Sequence, residues 1–203
     1  MGKYLTQVET NFIQNAVDFS KLETVLDVGA EAGRFSQLNS NAETISIDIE
    51  PYGLKRLKQK SKKTHVIQAD ARTISLQNET LDAITMIEVL DYIPELDQAF
   101  SEAFRTLKPE ASLIVSFGNK SSLKAKLRRL SGKSYQHAYS SVTQTLAKTG
   151  FVVKKKTGYN WLPFGRMSQN PIIPFLTKME RLIGLRKIPS HSPWVIVHAV
   201  KLK

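Results

Sequence analysis

Three acidic residues stand at the ends of short apolar runs, where a carboxylate is in position to bind a ligand. Asp48 ends one run, Asp70 follows the next and Glu88 closes a third. Buried carboxylates are costly without partners, so acids at successive run ends do not stabilise a sheet. A carboxylate there can accept two hydrogen bonds from ribose hydroxyls, or one from an adenine amino group. The three acids therefore indicate a nucleotide-binding crevice, with Asp48 at the ribose and Asp70 at the base.

A glycine turn precedes these acids. The apolar run 24–28, which contains Asp27, leads into Gly29 and then Gly33. Gly29 allows a sharp turn and a close approach of ligand to backbone, and Gly33 allows a helix to begin against the strand. This is the geometry of a nucleotide-binding loop, although strand-to-helix turns with two glycines occur in many other α/β proteins. The Gly-x-Gly-x-x-Gly dehydrogenases are disfavoured, because the third glycine of that pattern is absent.

The elements that must position these residues alternate along the chain. Short runs rich in branched residues predict strands at 24–28, 44–48, 65–69, 81–86, 111–116, 151–154 and 194–200. Helical spacing predicts helices at 4–18, 33–38, 51–60, 96–107, 121–130 and 140–149, and within 171–190. This alternation predicts an α/β fold with a mostly parallel sheet, which binds ligands at the carboxyl ends of its strands.

The length of 203 residues and the absence of repeats or a low-complexity linker predict a single domain. We expect residues 1–20 to form an N-terminal helix and 21–118 the cofactor-binding core. Residues 119–203 then form a basic lid and the last strands.

The charge divides at residue 118. Residues 1–118 hold 12 Lys and Arg against 17 Asp and Glu, whereas 119–203 hold 17 Lys and Arg against one acid, Glu180. Such asymmetry indicates either an anionic partner, with nucleic acid, an acidic membrane and a phosphorylated substrate as the candidates, or a basic face that is only solvated. With no cysteine and four scattered histidines, we expect no metal site. Without a secretory signal or a long apolar segment, we expect a cytoplasmic protein.

In this order, the motifs resemble the Rossmann-like, class I S-adenosylmethionine-dependent methyltransferases over about residues 22–118. VLDVGAEAG is similar to their glycine motif, SIDIEPYGLKRLK to their second motif and QADA to their adenine-contacting motif. Residues 81–116, with Leu-Lys-Pro before the last strand, resemble their fourth and fifth strands. The resemblance implies a doubly wound seven-stranded sheet with helices on both faces and a small helical lid. It also implies S-adenosylmethionine as the cofactor.

The residues and the resemblance together predict the following cofactor-binding set: Asp27, Gly29, Glu31, Gly33, Asp48, Ile49, Asp70, Ala71 and Glu88. The resemblance places Ile49 beside the adenine. Glu31 stands where the family often has glycine, and its carboxylate faces either the sulfonium, the amino group of the cofactor or solvent.

Methyl transfer from a sulfonium is an in-line displacement, so the protein mainly holds the acceptor in line and excludes water. A hydroxyl acceptor also needs a base, for which His137 and Tyr92 are the candidates, ahead of Asp91 and Glu88. Tyr92 stands where many relatives have histidine. The alternative for His137 is a surface loop.

The C-terminal part leaves the acceptor open. Apolar residues at 175, 176, 179, 182 and 183 form one helical stripe with basic neighbours. We expect this helix to pack over the sheet as a lid, and contact with anionic lipid is the second interpretation. The hypotheses are a methyltransferase for a small-molecule, lipid-like or glycan acceptor, an RNA methyltransferase, and a non-catalytic cofactor-binding protein at a membrane.

Overall fold

A computed structural model describes residues 1–36, 38, 42–61, 64–129 and 136–202. Its strands are β1 Thr24–Val28, β2 Glu43–Asp48, β3 Thr64–Gln68, β4 Leu81–Ile87, β5 Leu107–Gly118, β6 Phe151–Tyr159 and β7 Trp194–Lys201. Its α-helices are α1 Gly2–Ala16, α2 Pro51–Lys60, α3 Leu96–Thr106, α4 Leu123–Arg129, α5 Tyr139–Lys148 and α6 Ile173–Leu182. Within those ranges, no helix is both long and apolar enough to cross a bilayer.

The strands form one sheet in the order β3-β2-β1-β4-β5-β7-β6. The first five pair in parallel, and β7 runs antiparallel between β5 and β6. The order along the sheet reverses between β1 and β4, which is where ligands bind in doubly wound folds. The prediction of a mostly parallel, seven-stranded, Rossmann-like sheet is confirmed.

Apolar cores cover both faces of the sheet, which explains why the strands read as continuous apolar runs. One core packs α3 and α5 against the central strands, through residues such as Phe100 and Leu146. The other core packs α1 against the opposite face, through Leu5, Phe12 and Ile13. The two cores pack on both faces of the sheet, and this packing positions the loops at the carboxyl ends of β1, β2 and β4.

The helix predicted at 33–38 is wrong. Residues 31–36 form turns, because Gly29, Glu31 and Gly33 all take left-handed φ angles of 69°, 46° and 81°. Three such residues within five positions cannot propagate a right-handed helix. Residue 37 of the predicted helix lies outside the described residues.

Other predicted boundaries need smaller corrections. α3 ends at Thr106 and β5 begins at the next residue, so the strand starts four residues before the predicted position. β6 continues to Tyr159 rather than ending at residue 154. Residue 130, predicted to end the basic helix, lies outside the described residues.

The expected packing of the C-terminal apolar stripe on the sheet is also wrong. Phe175, Leu182 and Ile183 are more than half exposed, whereas Ile173 and Glu180, on the opposite side of α6, are buried. Of the predicted stripe, only Leu176 packs against the core beneath α1. The helix therefore presents most of its apolar side chains to solvent.

Candidate functional site

The loop after β1 is held against the end of β2. The backbone N–H groups of Gly29 and Ala30 both donate to the carbonyl oxygen of Ile47, at 2.8 and 3.1 Å. Any β-carbon on Gly29 would lie 2.6 Å from a methyl group of Val89, and its φ of +69° disfavours other residues. Glycine at this position therefore lets the loop close tightly over the strand ends.

Asp48 fixes the next part of the loop. One carboxylate oxygen, Oδ2, accepts a hydrogen bond from the backbone N–H of Glu31 at 2.8 Å. The other, Oδ1, accepts from the backbone N–H of Glu50 at 2.9 Å. Each oxygen keeps a lone pair for a further donor, and the side chain borders the cavity described next. The carboxylate is thus preorganised to accept two hydroxyl groups of a ligand.

A cavity of about 550 Å³ opens at the carboxyl ends of β1, β2 and β4, and a smaller one of about 90 Å³ adjoins it. The two share five lining residues, namely Gly29, Asp48, Ile49, Val89 and Tyr92. Of the predicted cofactor residues, Asp27, Glu31 and Glu88 line the larger cavity, and Asp70 and Ala71 the smaller. The fold thus gathers eight of the nine predicted residues around one crevice.

Gly33 is the ninth predicted residue and lies behind the loop. A β-carbon there would be 2.3 Å from Cδ1 of Leu57 on α2. The role seen for Gly33 is thus to let the loop pack against α2. Direct contact between Gly33 and a cofactor stays a prediction.

Asp27 is buried beneath the loop. Its two oxygens accept hydrogen bonds from the hydroxyl groups of Ser36 and Thr85, at 2.6 and 2.8 Å. Burial raises the pKa of the Asp27 carboxyl above its ordinary value of 3.8. A cationic ligand in the cavity would favour the ionised form, so binding of such a ligand is coupled to proton release at this residue.

Asp70 is already engaged by a neighbouring arginine. The Arg72 guanidinium donates to both Asp70 oxygens, at 2.6 to 3.1 Å, and this holds the pKa of the carboxyl below its ordinary value. Arg72 also binds Glu95 on the other side. Contact between Asp70 and an adenine amino group stays a prediction. Ile49 is 63% exposed beside this acid and offers an apolar surface to a planar ring.

Glu88 lines the cavity and forms ion pairs with two arginines that are distant from each other in the sequence. Its carboxylate contacts Arg34 Nη1 at 3.3 Å and Arg166 Nη1 on the opposite side. Its backbone N–H donates to the hydroxyl group of Ser116 on β5. Although burial opposes ionisation, the two arginines keep the pKa of Glu88 below its ordinary value. The acid after β4 is therefore ionised and oriented at the cavity wall.

Glu9 lies behind Glu88 and is fully buried. The Tyr159 hydroxyl donates to its Oε1 at 2.7 Å, and its Oε2 lies 3.5 Å from Arg34 Nη1. Burial and the adjacent Glu88 carboxylate raise the pKa of Glu9 from 4.5 to about 8. Glu9 is therefore protonated near neutral pH, and this neutral carboxyl packs against the ionised Glu88.

The sequence prediction missed Glu9, Arg34 and Arg166. A signal existed for Glu9, because it falls on the apolar stripe of α1 with Leu5 and Phe12, where a charged residue needs a reason. Arg166 gave no comparable signal, since its partner Glu88 is 78 residues away in the chain.

The two predicted bases lie in different surroundings. Tyr92 is 83% exposed and lines both cavities. His137 is buried, and its Nε2 lies 3.1 Å from the carbonyl oxygen of Leu90 and 2.7 Å from that of Ile93. Carbonyl oxygens only accept, so Nε2 carries a proton and donates to them. The base role of His137 stays a prediction, and it would have to use Nδ1.

Comparison with known proteins agrees with this geometry. Residues 26–115 match the family model described as a methyltransferase domain, a range that runs from β1 into β5. This match, together with the similarity to curated methyltransferases, supports a class I S-adenosylmethionine-dependent methyltransferase family for the chain. The methyltransferase domain model thus covers the strands that carry Asp27, Asp48, Asp70 and Glu88.

Two curated methyltransferases are similar to the chain. It is 30% identical over 182 residues to a malonyl-[acyl-carrier protein] O-methyltransferase of Methylococcus capsulatus, covering 83% of this chain and 64% of that protein. It is 31% identical over 108 residues to sterol methyltransferase-like 3 of Botryococcus braunii, covering 49% of this chain and 28% of that protein. The chain thus spans less than two thirds of the length of either relative.

The fold also matches solved methyltransferase structures. An S-adenosylmethionine-dependent methyltransferase from Archaeoglobus fulgidus superimposes with a TM-score of 0.68 and 18% identity, over 99% of this chain and 95% of that one. With 18% sequence identity, this match is evidence for a shared fold and not for a shared activity or substrate.

Proposed function

We propose that the chain binds S-adenosylmethionine in the strand-end cavity and transfers its methyl group to a small-molecule, lipid-like or glycan acceptor. The observation that carries the proposal is the carboxylate of Asp48, which the backbone N–H groups of Glu31 and Glu50 hold at the cavity wall. In that position it accepts both hydroxyl groups of a ribose. The adjoining cavity beside Ile49 and Ala71 receives the adenine.

The same cavity suits a cationic cofactor. Asp27 and Glu88 present acidic groups at the wall near the glycine loop, and Glu31 lines the loop itself. The ionised Glu88 attracts the sulfonium and the amino group of the cofactor, and their positive charge in turn favours the ionised form of Asp27. Bound S-adenosylmethionine supplies an activated methyl group, and the chain's own residues hold the donor and exclude water from the line of attack.

The acceptor enters between Tyr92 and the two arginines that bind Glu88. Tyr92 offers an exposed ring in the cavity wall, Arg34 lines the same cavity with 32% of its side chain exposed, and Arg166, which binds Glu88, is 42% exposed. An apolar edge next to two cations favours an acceptor with an apolar body and an anionic group. Of the acceptors named for the two curated relatives, a sterol has a large apolar body and the malonyl group on a carrier protein has a carboxylate.

The test is a transfer assay with methyl-tritiated S-adenosylmethionine. Lipid, polar small-molecule, glycan and RNA fractions are incubated separately with the wild type and with Asp48→Ala, and label in each fraction is counted. We expect label in a lipid or small-molecule fraction with the wild type and none with the variant. Equal label with both proteins would contradict the proposal.

The same assay separates the alternatives. Label confined to RNA would favour a nucleic-acid methyltransferase, which the positive charge of residues 119–203 supports. Cofactor binding without label in any fraction would favour a non-catalytic protein. We further propose that the chain acts in the cytoplasm, at or near an anionic membrane surface.

A further inference from the structure

The outward side of α6 and the residue after it form a surface that is both apolar and basic. We call it the α6 surface, and it consists of Phe175, Lys178, Met179, Arg181, Leu182 and Ile183. Phe175, Leu182 and Ile183 are 61%, 65% and 63% exposed. Large apolar side chains grouped on one exposed helix face mark a contact surface more often than isolated ones do.

The rotation of α6 about its axis is fixed by a buried acid. Glu180 is 2% exposed and accepts hydrogen bonds from three donors, namely the Tyr4 hydroxyl, the Trp161 backbone N–H and Arg186 Nε. Turning the apolar side inward would break these bonds. Breaking a buried, hydrogen-bonded ion pair is costly, so the outward direction of the apolar side belongs to the fold itself.

The charge around the surface has one sign. Lys178, Arg181 and Lys187 are exposed on or beside it, and each is a cation. Glu180 is the one acidic residue between positions 119 and 203, and it is buried. No acidic side chain from this part of the sequence therefore offsets the positive charge of the surface.

A second helix, α4, also exposes apolar side chains. Leu123 and Leu127 on α4 are 70% and 61% exposed. The Lys124 ammonium of this helix donates to the carbonyl oxygens of Asn160 and Leu162, at 3.0 and 2.7 Å. Between those two residues lies Trp161, whose N–H binds Glu180 of α6. The segment at residues 160–162 therefore contacts both α4 and α6.

We propose that the α6 surface docks the chain on an anionic lipid bilayer. Phe175 and Leu182 enter the boundary between head groups and acyl chains, while Lys178 and Arg181 contact lipid phosphates. A second copy fits less well, because a two-fold contact would set the same cations against each other. Nucleic acid fits less well, because phosphates gain nothing from the central phenylalanine and leucine. This proposal does not depend on the proposal that the chain binds S-adenosylmethionine.

The test is co-sedimentation with vesicles of phosphatidylcholine alone or with 30% phosphatidylglycerol. One variant, Phe175→Ser with Leu182→Ser, removes the apolar contact, and another, Lys178→Glu with Arg181→Glu, reverses the charge. The controls are Ile67→Ser, an exposed residue on β3 at the far edge of the sheet, and Lys55→Glu with Arg56→Glu on α2. Thermal unfolding confirms that each variant folds.

We expect the wild type to bind phosphatidylglycerol vesicles at least tenfold more tightly than neutral ones, and each α6 variant to lose about tenfold or more. The two controls should bind like the wild type. Absence of wild-type sedimentation, or equal loss in the controls, would overturn the proposal. So would a dimer in sedimentation velocity that Phe175→Ser with Leu182→Ser dissociates. RNA binding that only the charge reversal abolishes, without vesicle binding, would overturn it in favour of a nucleic acid.

Discussion

Glu9 should make the stability of the folded chain fall as the pH rises from 6 to 9. Its carboxyl has a pKa of about 8 in the folded state, against 4.5 as the ordinary value. Between these values the folded state binds a proton that the unfolded state has released, so the free energy of unfolding decreases with increasing pH. The stability that protonation of Glu9 contributes is therefore fully lost once the pH lies above the folded-state pKa.

The size of the effect follows from the pKa. Titration of one group with a folded-state pKa of about 8 lowers the free energy of unfolding by roughly 2–3 kcal/mol between pH 6 and 9. For a chain of this length that corresponds to a fall of roughly 5–10 °C in the melting temperature. Glu9→Gln cannot ionise and still accepts from the Tyr159 hydroxyl, so its melting temperature should change much less over the same range.

The assay is calorimetric unfolding at constant ionic strength at pH 6, 7, 8 and 9. Asp27 also has a raised pKa, so the readout is the difference in slope between the wild type and Glu9→Gln. Glu102→Gln is the control, because Arg105 keeps the pKa of Glu102 low and the residue stays ionised throughout. Parallel curves for wild type and Glu9→Gln would refute a protonated Glu9.

Two further variants test the loop and the buried acid. Gly33→Ala should destabilise the fold by roughly 1–3 kcal/mol, because its β-carbon would lie 2.3 Å from Leu57 and its φ is +81°, whereas Gly165→Ala has open space. Urea unfolding measures both, and equal midpoints would contradict the packing argument. Wild-type affinity for S-adenosylmethionine should rise with pH as Asp27 loses its proton, and Asp27→Asn should abolish that rise in calorimetric titrations. A rise that persists in the variant would assign the proton to another group.

Much of the candidate site followed from the sequence, because local rules determine it. In a parallel sheet, residues that end neighbouring strands meet at one edge, and this brings Asp48, Asp70 and Glu88 together. The wall that Glu88 forms with Arg34 and Arg166 did not follow, since it depends on how distant segments pack.

The orientation of α6 shows a second limit of sequence patterns. Helical periodicity identified the stripe that contains Phe175 and Leu182 but not the direction in which it points. The orientation of α6 is set by Glu180, which accepts hydrogen bonds from α1, from the segment at residue 161 and from the turn after α6. An isolated acid in a basic segment, opposite the apolar stripe, was the available signal.

Binding of S-adenosylmethionine at Asp48 is the central claim, and isothermal titration calorimetry tests it most directly. The wild type, Asp48→Ala and Asp97→Ala, a variant of an exposed acid on α3, are titrated with the cofactor. Loss of two charge-assisted hydrogen bonds should weaken binding by about 100-fold or more in Asp48→Ala, while Asp97→Ala binds like the wild type. No binding by the folded wild type, or unchanged affinity in Asp48→Ala, would contradict the account.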